Sequence, residues 1–314
     1  MPQMTPASAR VIDPILTEVA RGYQNSELVG SALFPSVSVG QRGGKIIQFG
    51  KEHFRLYNTA RAPGAAVKRI ESAYSAASYA LEDHSLAEGV PVELLEEAQA
   101  VPGIDLGTAA VRRAQDVIAL RLEYQQAQLA TNAASYAATN KVTLSGTSQW
   151  SDFTNGVSDP IKDIETAKDA VRAAVGRMPN TIVMGAAVLA KLRQHPKIIE
   201  RIKYTGRDIP TPELLASLFG VARVLSGDAV YADDAGAFSD VWGKVVVVAY
   251  TDTAGINDAG RPSYGYTYRL RGYPVVEPAR YDPDTRSWVY AVHDAVIPVL
   301  AGAEAGYLIS AAVA

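Results

Sequence analysis

Residues 43 to 91, GGKIIQFGKEHFRLYNTARAPGAAVKRIESAYSAASYALEDHSLAEGVP, are rich in strand-forming side chains yet have no hydrophobic face of their own to bury. Ile46, Ile47, Phe49, Phe54, Leu56 and Tyr57 are interspersed with Lys45, Gln48, Lys51, Glu52, His53 and Arg55, which suits a strand half exposed to water. Residues 59–66 carry Arg61, Pro63 and Gly64 and mark a tip or bend. A return run over 68–82 mixes Arg69, Glu71, Tyr74, Ser75, Ser78 and Tyr79. An isolated two-stranded ribbon is marginal in water, and exposed ribbon edges recruit other chains. A β-arm of this kind needs a partner; a hairpin packed on its own domain is the alternative.

Composition narrows what the partner and the rest of the chain can be. At 314 residues the chain holds one large or two ordinary domains and buries a real core. With 48% hydrophobic and 20% charged residues, a globular rather than a disordered chain is expected. Thirty basic against 33 acidic residues give a net charge of −3 with no Lys/Arg tail, which argues against an electrostatic nucleic-acid binder. The absence of cysteine excludes disulfides, thiolate catalysis and cysteine-ligated zinc, and is compatible with a cytoplasmic origin. The N-terminus lacks the basic and apolar regions of a signal peptide, and no run of about eighteen apolar residues is present, so no membrane is implicated.

The remaining elements follow from periodicity and punctuation. Residues 14–23 read as a short helix, with Leu33, Phe34, Pro35 and Val37 extended after it. Residues 93–102 read as a connector. Asp105 is placed to cap a helix over 106–131, with Val111, Ala114, Ile118, Leu122 and Leu129 as its stripe and an Arg112–Asp116 pair on the wet side. At about 1.5 Å per residue this rod is about 40 Å long. A short strand is expected at 141–144. Asp159–Pro160 opens a helix that Gly176 closes, on a stripe of Ile161, Ile164, Val171 and Val175. A buried strand at 179–184, helices at 186–195 and 197–202 broken at Pro196, and a helix at 211–219 closed by Gly220 complete an α+β unit over 158–262. Strands are expected at 222–225, 244–250, 264–270, 274–278 and 287–293, followed by a buried β-rich ending.

No catalytic constellation is legible. Phosphate-loop, dinucleotide-fold, GxSxG and HExxH signatures are all missing. His53, His84, His195 and His293 fall in different elements at no metal spacing and read as surface or interface residues. QRGGK at 41–45 lacks the strand and helix of a phosphate loop and reads as a hinge at the root of the arm. Asp233, Asp234 and Asp240 read as a solvated turn rather than a calcium loop, Asp282 and Asp284 as turn formers, and Glu96 and Glu97 as part of a wet helix face. The sixteen tyrosines suit either interfaces or cores.

The order of these parts, an N-terminal arm, a β-arm, a rod-like helix, an inserted α+β unit and a strand-rich return, resembles the major capsid proteins of tailed bacteriophages, whose Hong Kong 97-type fold encapsulin shells share. The wording is similar too: FGKEHFRLYNTARAPGA at 49–65, NKVTLSGTSQWSD at 140–152, and DAVRAAVGRMPNTIVMG to HPKIIERIKYT over 169–205. The resemblance implies an α+β chain with an N-terminal arm at 1–44, an extended β-loop at 45–92, and the first part of a peripheral domain with its spine helix at 93–157. It implies an axial domain at 158–262, then peripheral return strands and a C-terminal strand at 263–314.

By the same resemblance the chain is a structural subunit, with no enzyme activity, cofactor or metal. It would self-assemble as pentamers and hexamers into an icosahedral head enclosing double-stranded DNA held without sequence-specific contact. Lys51, Glu52, Phe54, Arg55, Tyr57, Arg61, Lys68, Arg69 and Glu71 of the extended loop are the implied inter-subunit contacts. A separate scaffolding protein, a portal and an optional decoration protein are the implied partners, since the chain enters its arm almost at Met1. Assembly would take place in the host bacterial cytoplasm and the product would be the virion. An encapsulin-type compartment, and an α/β enzyme with its site between residues 158 and 300, are the alternatives.

Overall fold

A computed structural model of the chain describes residues 16–17, 28–45, 60, 67, 78–99, 105–203, 210–252 and 263–314. The first elements are α1 (Gly30–Leu33), β1 (Ser36–Val39), β2 (Gly43–Lys45), β3 (Ser78–Ala80), β4 (Glu82–Pro91), α2 (Val92–Gln99), α3 (Leu106–Thr131) and β5 (Lys141–Thr143). Next come α4 (Pro160–Val175), β6 (Thr181–Gly185), α5 (Ala186–Leu192), α6 (Pro196–Ile202), α7 (Pro212–Phe219), β7 (Arg223–Gly227), β8 (Val230–Ala232) and β9 (Phe238–Asp240). The chain closes with β10 (Val246–Ala249), β11 (Gly265–Leu270), β12 (Val275–Val276), β13 (Arg280–Asp282), β14 (Ser287–Leu300) and β15 (Gly306–Ser310).

Two sheets share one rod. The larger runs β1-β11-β14-β12, with β4 and β13 also paired to the long β14; the smaller runs β5-β15-β10-β6-β7. The N-terminal half of α3 lies on the larger sheet, where Val111 and Ala114 meet Val276 and Val292. Its C-terminal half lies on the smaller one, where Ala127 and Ala130 pack with Val183, Val247 and Leu308. The opposite face of the smaller sheet is covered by helices α4 to α7, through Ile164, Val171, Leu192, Ile198 and Leu215 against Ile182, Met184, Val246 and Val248. Buried on both faces, β6 and β10 read as the continuous apolar runs TIVMG and VVVA.

Local chemistry sets the helix ends. Asp105 accepts from the Gly107 and Thr108 amides to open α3. Asp159 accepts from Lys162 with Pro160 at the first turn of α4, and Gly176 closes it at φ 72°. Thr211 and Gly220 bracket α7 in the same way. Asp233 folds the β8–β9 turn by accepting from Ala235 and Ala237, and Asp282 the β13–β14 turn by accepting from Asp284.

Several sequence expectations are corrected. Leu33 ends a short helix instead of lying extended, and residues 93–99 of the supposed connector belong to helix α2, with Glu96 and Glu97 exposed on it. Residues 82–91 are not a partnerless arm: β4 pairs β14 over ten residues, from Ser287↔Pro91 to Val296↔Glu82. Strand β14 runs on to Leu300, and β5 and β15 join the smaller sheet from outside residues 158–262. The reason is common to all: a strand's place depends on which backbone edge it meets, which local pattern does not encode. His195 is 2% exposed, contrary to a surface reading; it caps α6 and meets Ser158 at 3.1 Å, and burial pushes its imidazole below the usual histidine range.

A buried polar contact ties the N-terminal segment to the rod. Glu123, on α3 and 2% exposed, accepts from Val29 N, Gly30 N and Trp242 Nε1 at 2.7 to 3.0 Å. Gln126, one turn on, donates to Thr267 Oγ1, which donates to Phe34 O. Gly30 has no room for a side chain, since a Cβ there falls 2.1 Å from Gln126 Oε1. Burial pushes the Glu123 carboxyl above the usual carboxylate range, against the pull of its three donors. Replacing Glu123 by Ala strands those donors and should lower unfolding free energy by about 3 kcal/mol in denaturant titration. A raised carboxyl pKa gives stability that is complete below the unfolded value and lost as pH rises through the folded one. Glu123→Gln should therefore remove one falling component from the stability–pH curve just above the ordinary glutamate range.

Candidate functional site: the root of the arm

Strands β2 and β3 form an antiparallel ribbon in the register Gly43↔Ala80, Gly44↔Tyr79 and Lys45↔Ser78. This is the base of the β-arm, and it is strand rather than the hinge expected from QRGGK. Leu81 N closes the base on Arg42 O at 2.8 Å, and Arg42 pairs with Asp83 at the start of β4. Tyr79 stacks flat on Tyr268 of β11, with ring centroids 4.4 Å apart at 13°. Gly44 is required beneath that ring: a Cβ there would stand 2.9 Å from Tyr79 Cε1. Burial and the neighbouring phenols Tyr266 and Tyr79 push the Tyr268 hydroxyl up to about 12.

Behind the root runs a polar rung. Ser85 Oγ meets His293 Nδ1 at 2.7 Å, and His293 Nε2 stands 3.0 Å from Glu277 Oε1, so the contact crosses β4, β14 and the end of β12. On the other face Arg269 pairs with the buried Asp294 at 3.1 Å, beside His84. Ser85, His293 and Glu277 stand in the order of a nucleophile, a base and a carboxylate. They lie on a pleated sheet face with Ser85 in water, though, and acyl chemistry needs a dry site with aimed donors. The rung is cross-strand pairing. Among the described residues no group of three metal-ligating side chains converges and no helix is long and apolar enough to cross a membrane.

The nine residues expected to make inter-subunit contacts, Lys51, Glu52, Phe54, Arg55, Tyr57, Arg61, Lys68, Arg69 and Glu71, all lie outside the described residues. Next to the bend expected at 59–66, Val67 is 70% exposed. The residues that aim the arm, Gly44, Tyr79, Tyr268 and the Arg42–Asp83 pair, were missed as such in the sequence. The paired glycines opposite a tyrosine were the one available signal, since close backbone approach to a ring selects glycine.

A two-sheet α+β body threaded by a long helix, with a ribbon leaving its edge, is the Hong Kong 97-type capsid fold, and the capsid structure of cyanophage P-SCSP1u shares it at a TM-score of 0.57 and 8% identity, over 98% of this chain and 92% of that one. Sequence goes further. Residues 105–263 match the family model described as phage major capsid protein E. The chain is 42% identical over 308 residues to the major capsid protein of Burkholderia phage BcepMu, covering 96% of each. A phage-related protein from Bordetella bronchiseptica RB50 matches at 44% identity and a TM-score of 0.83, over 97% of this chain and 98% of that one. The chain belongs to the phage major capsid protein E family. It is a structural capsid protein, not an enzyme.

The stack is worth about 1 kcal/mol beyond the area it buries, so Tyr79→Ala should lower Tm by roughly 2 °C. In hydrogen exchange the amides of β2, β3 and Leu81 should lose protection while those of α3 keep theirs; unchanged protection at Leu81 would show that the ring does not hold the root.

Proposed function

We propose that this capsid protein closes a head by lending its arm to its neighbours. Copies assemble as pentamers and hexamers into an icosahedral shell around double-stranded DNA. Residues 45–92 serve as the extended loop, its last strand β4 returning into the larger sheet of the body, and Lys51, Glu52, Phe54, Arg55, Tyr57, Arg61, Lys68, Arg69 and Glu71 face the adjacent subunit. Residues 1–44 form the N-arm, 93–157 and 263–314 the peripheral domain, and 158–262 the axial domain, to whose sheet β5 and β15 contribute. Assembly takes place in the host cytoplasm with a separate scaffolding protein and a portal, and a decoration protein is an optional addition.

The observation that carries this reading is the root itself. Backbone pairing, a ring stack and an ion pair hold both strands of the ribbon on the body, which is what an arm needs if a load applied along it is to reach the subunit. Each inter-subunit contact is then modest, and closure comes from the number each subunit makes. The mild net charge of −3 suits a lining that confines DNA without gripping its sequence. Relatives in sequence are phage major capsid proteins, which favours a head over an encapsulin-type compartment.

Electron microscopy of the purified full chain should show closed shells tens of nanometres across. Excision of residues 48–77, leaving β2 and β3 joined by a short turn, should yield a soluble subunit with unchanged far-UV circular dichroism that closes no shell. Shells built from the excised chain would sink the arm reading, and loss of the fold would restore the packed hairpin.

A further inference from the structure

Among the described residues no backbone pairs with the outer edge of β4. Val92 N donates to Arg286 O at 3.0 Å, one residue beyond the Pro91↔Ser287 pair. Antiparallel pairs alternate, so residues 82, 84, 86, 88 and 90 turn their backbone groups toward β14 while 83, 85, 87, 89 and 91 turn theirs outward. Among the described residues no strand but β14 pairs with β4. Pro91, with no N–H to offer, falls in the outward phase, as proline in a sheet must. The outward positions Ser85, Ala87 and Gly89 are small and exposed, so another backbone can approach closely.

Charge identifies what approaches. Residues 82–97 hold six carboxylates and no Lys or Arg, whereas 45–69 hold six Lys or Arg and the single carboxylate Glu52. Arg42, Arg113 and Arg286 answer Asp83, Glu88 and Glu93, which leaves Glu82, Glu96 and Glu97 without a Lys or Arg partner among the described residues. The basic strand of the same subunit runs away from this edge: Leu81 N bonds Arg42 O, and β2 then pairs antiparallel with β3 from Gly43↔Ala80 to Lys45↔Ser78, leaving β4 behind it. At the opposite edge of β14, Thr17 Oγ1 accepts from Val276 N of β12 at 3.2 Å.

We propose that the β4 edge is the dock for the basic arm strand, residues 45–57, of a second copy of the chain, which adds to the larger sheet by main-chain pairing with Lys45, Lys51 and Arg55 along the β4–α2 carboxylates. This rests on the assembly reading above and names its receiving surface.

Because the chain has no cysteine, disulfide trapping has no background. Ala87→Cys is mixed with single-cysteine variants at each position from 46 to 56, assembled and oxidised. Paired strands bring Cα atoms within disulfide range, so covalent dimers should form at alternate arm positions, following the two-residue period of a strand. Ala87→Pro removes an outward N–H and spares the β14 ladder. It should leave circular dichroism unchanged and cut shell yield at least tenfold. Shells without a cross-link at any position, or a link confined to one chain when both cysteines share it, would overturn the docking alone. Absence of any oligomer from the wild-type chain would overturn the docking and the assembly reading together.

Discussion

One helix has to satisfy two sheets. Helix α3 presents Val111 and Ala114 to one sheet and Ala127 and Ala130 to the other, so neither sheet has a complete core without it. A rod of 26 residues cannot carry one unbroken apolar stripe across two surfaces that twist differently, and between the two contacts its buried face turns polar, through Gln115, Glu123 and Gln126. Those polar groups are expensive to bury unless answered. Glu123 is answered by the start of α1 and by Trp242, and Gln126 by Thr267. The N-terminal segment is therefore fastened where the two halves of the body meet, by donors that only a buried acceptor would hold in place.

This arrangement makes the body stiff where the arm leaves it. From Glu123 the chain runs through α1 and Phe34 into β1, which pairs in parallel with β11, and β2 follows within a few residues. The returning strand β3 stacks on β11 through Tyr79 and then becomes β4 after Leu81 alone. Both legs of the ribbon are thus rooted on one strand, β11, which itself carries Thr267, the acceptor for Gln126. A force on the arm passes into the same group of residues that joins the sheets. For a subunit whose neighbours pull on it from several directions, this is the economical place to anchor.

What was legible in the sequence was what local chemistry decides. Asp105, Asp159, Thr211, Gly176 and Gly220 mark helix ends because caps and left-handed stops depend on a few adjacent residues, and all five stand where expected. The partition of strands between sheets was not legible. Residues 141–143 and 306–310 are far apart in the chain yet lie side by side in the smaller sheet. Their alternation says that they are strands and nothing about which edge they meet. β4 was read as arm for the same reason, since its exposed face of Asp83, Ser85, Ala87 and Gly89 looks like a strand with no core. Glu123 could not be told from a surface glutamate, because its partners lie 93 and 119 positions away.

The misreading of β4 bears on how its edge selects a partner. A ten-residue open edge ordinarily invites any exposed strand to pair. Here the edge carries Glu82, Asp83 and Glu88 and ends in Pro91, which disfavours a second β4 in any register that brings those carboxylates opposite one another. The basic strand of an arm meets no such opposition. Selectivity between the two comes from repulsion as much as attraction, and it costs the monomer little, because Arg42, Arg113 and Arg286 already hold three of the carboxylates within the chain. On the docking proposed above, the carboxylates of β4 both admit a basic strand and disfavour a second β4.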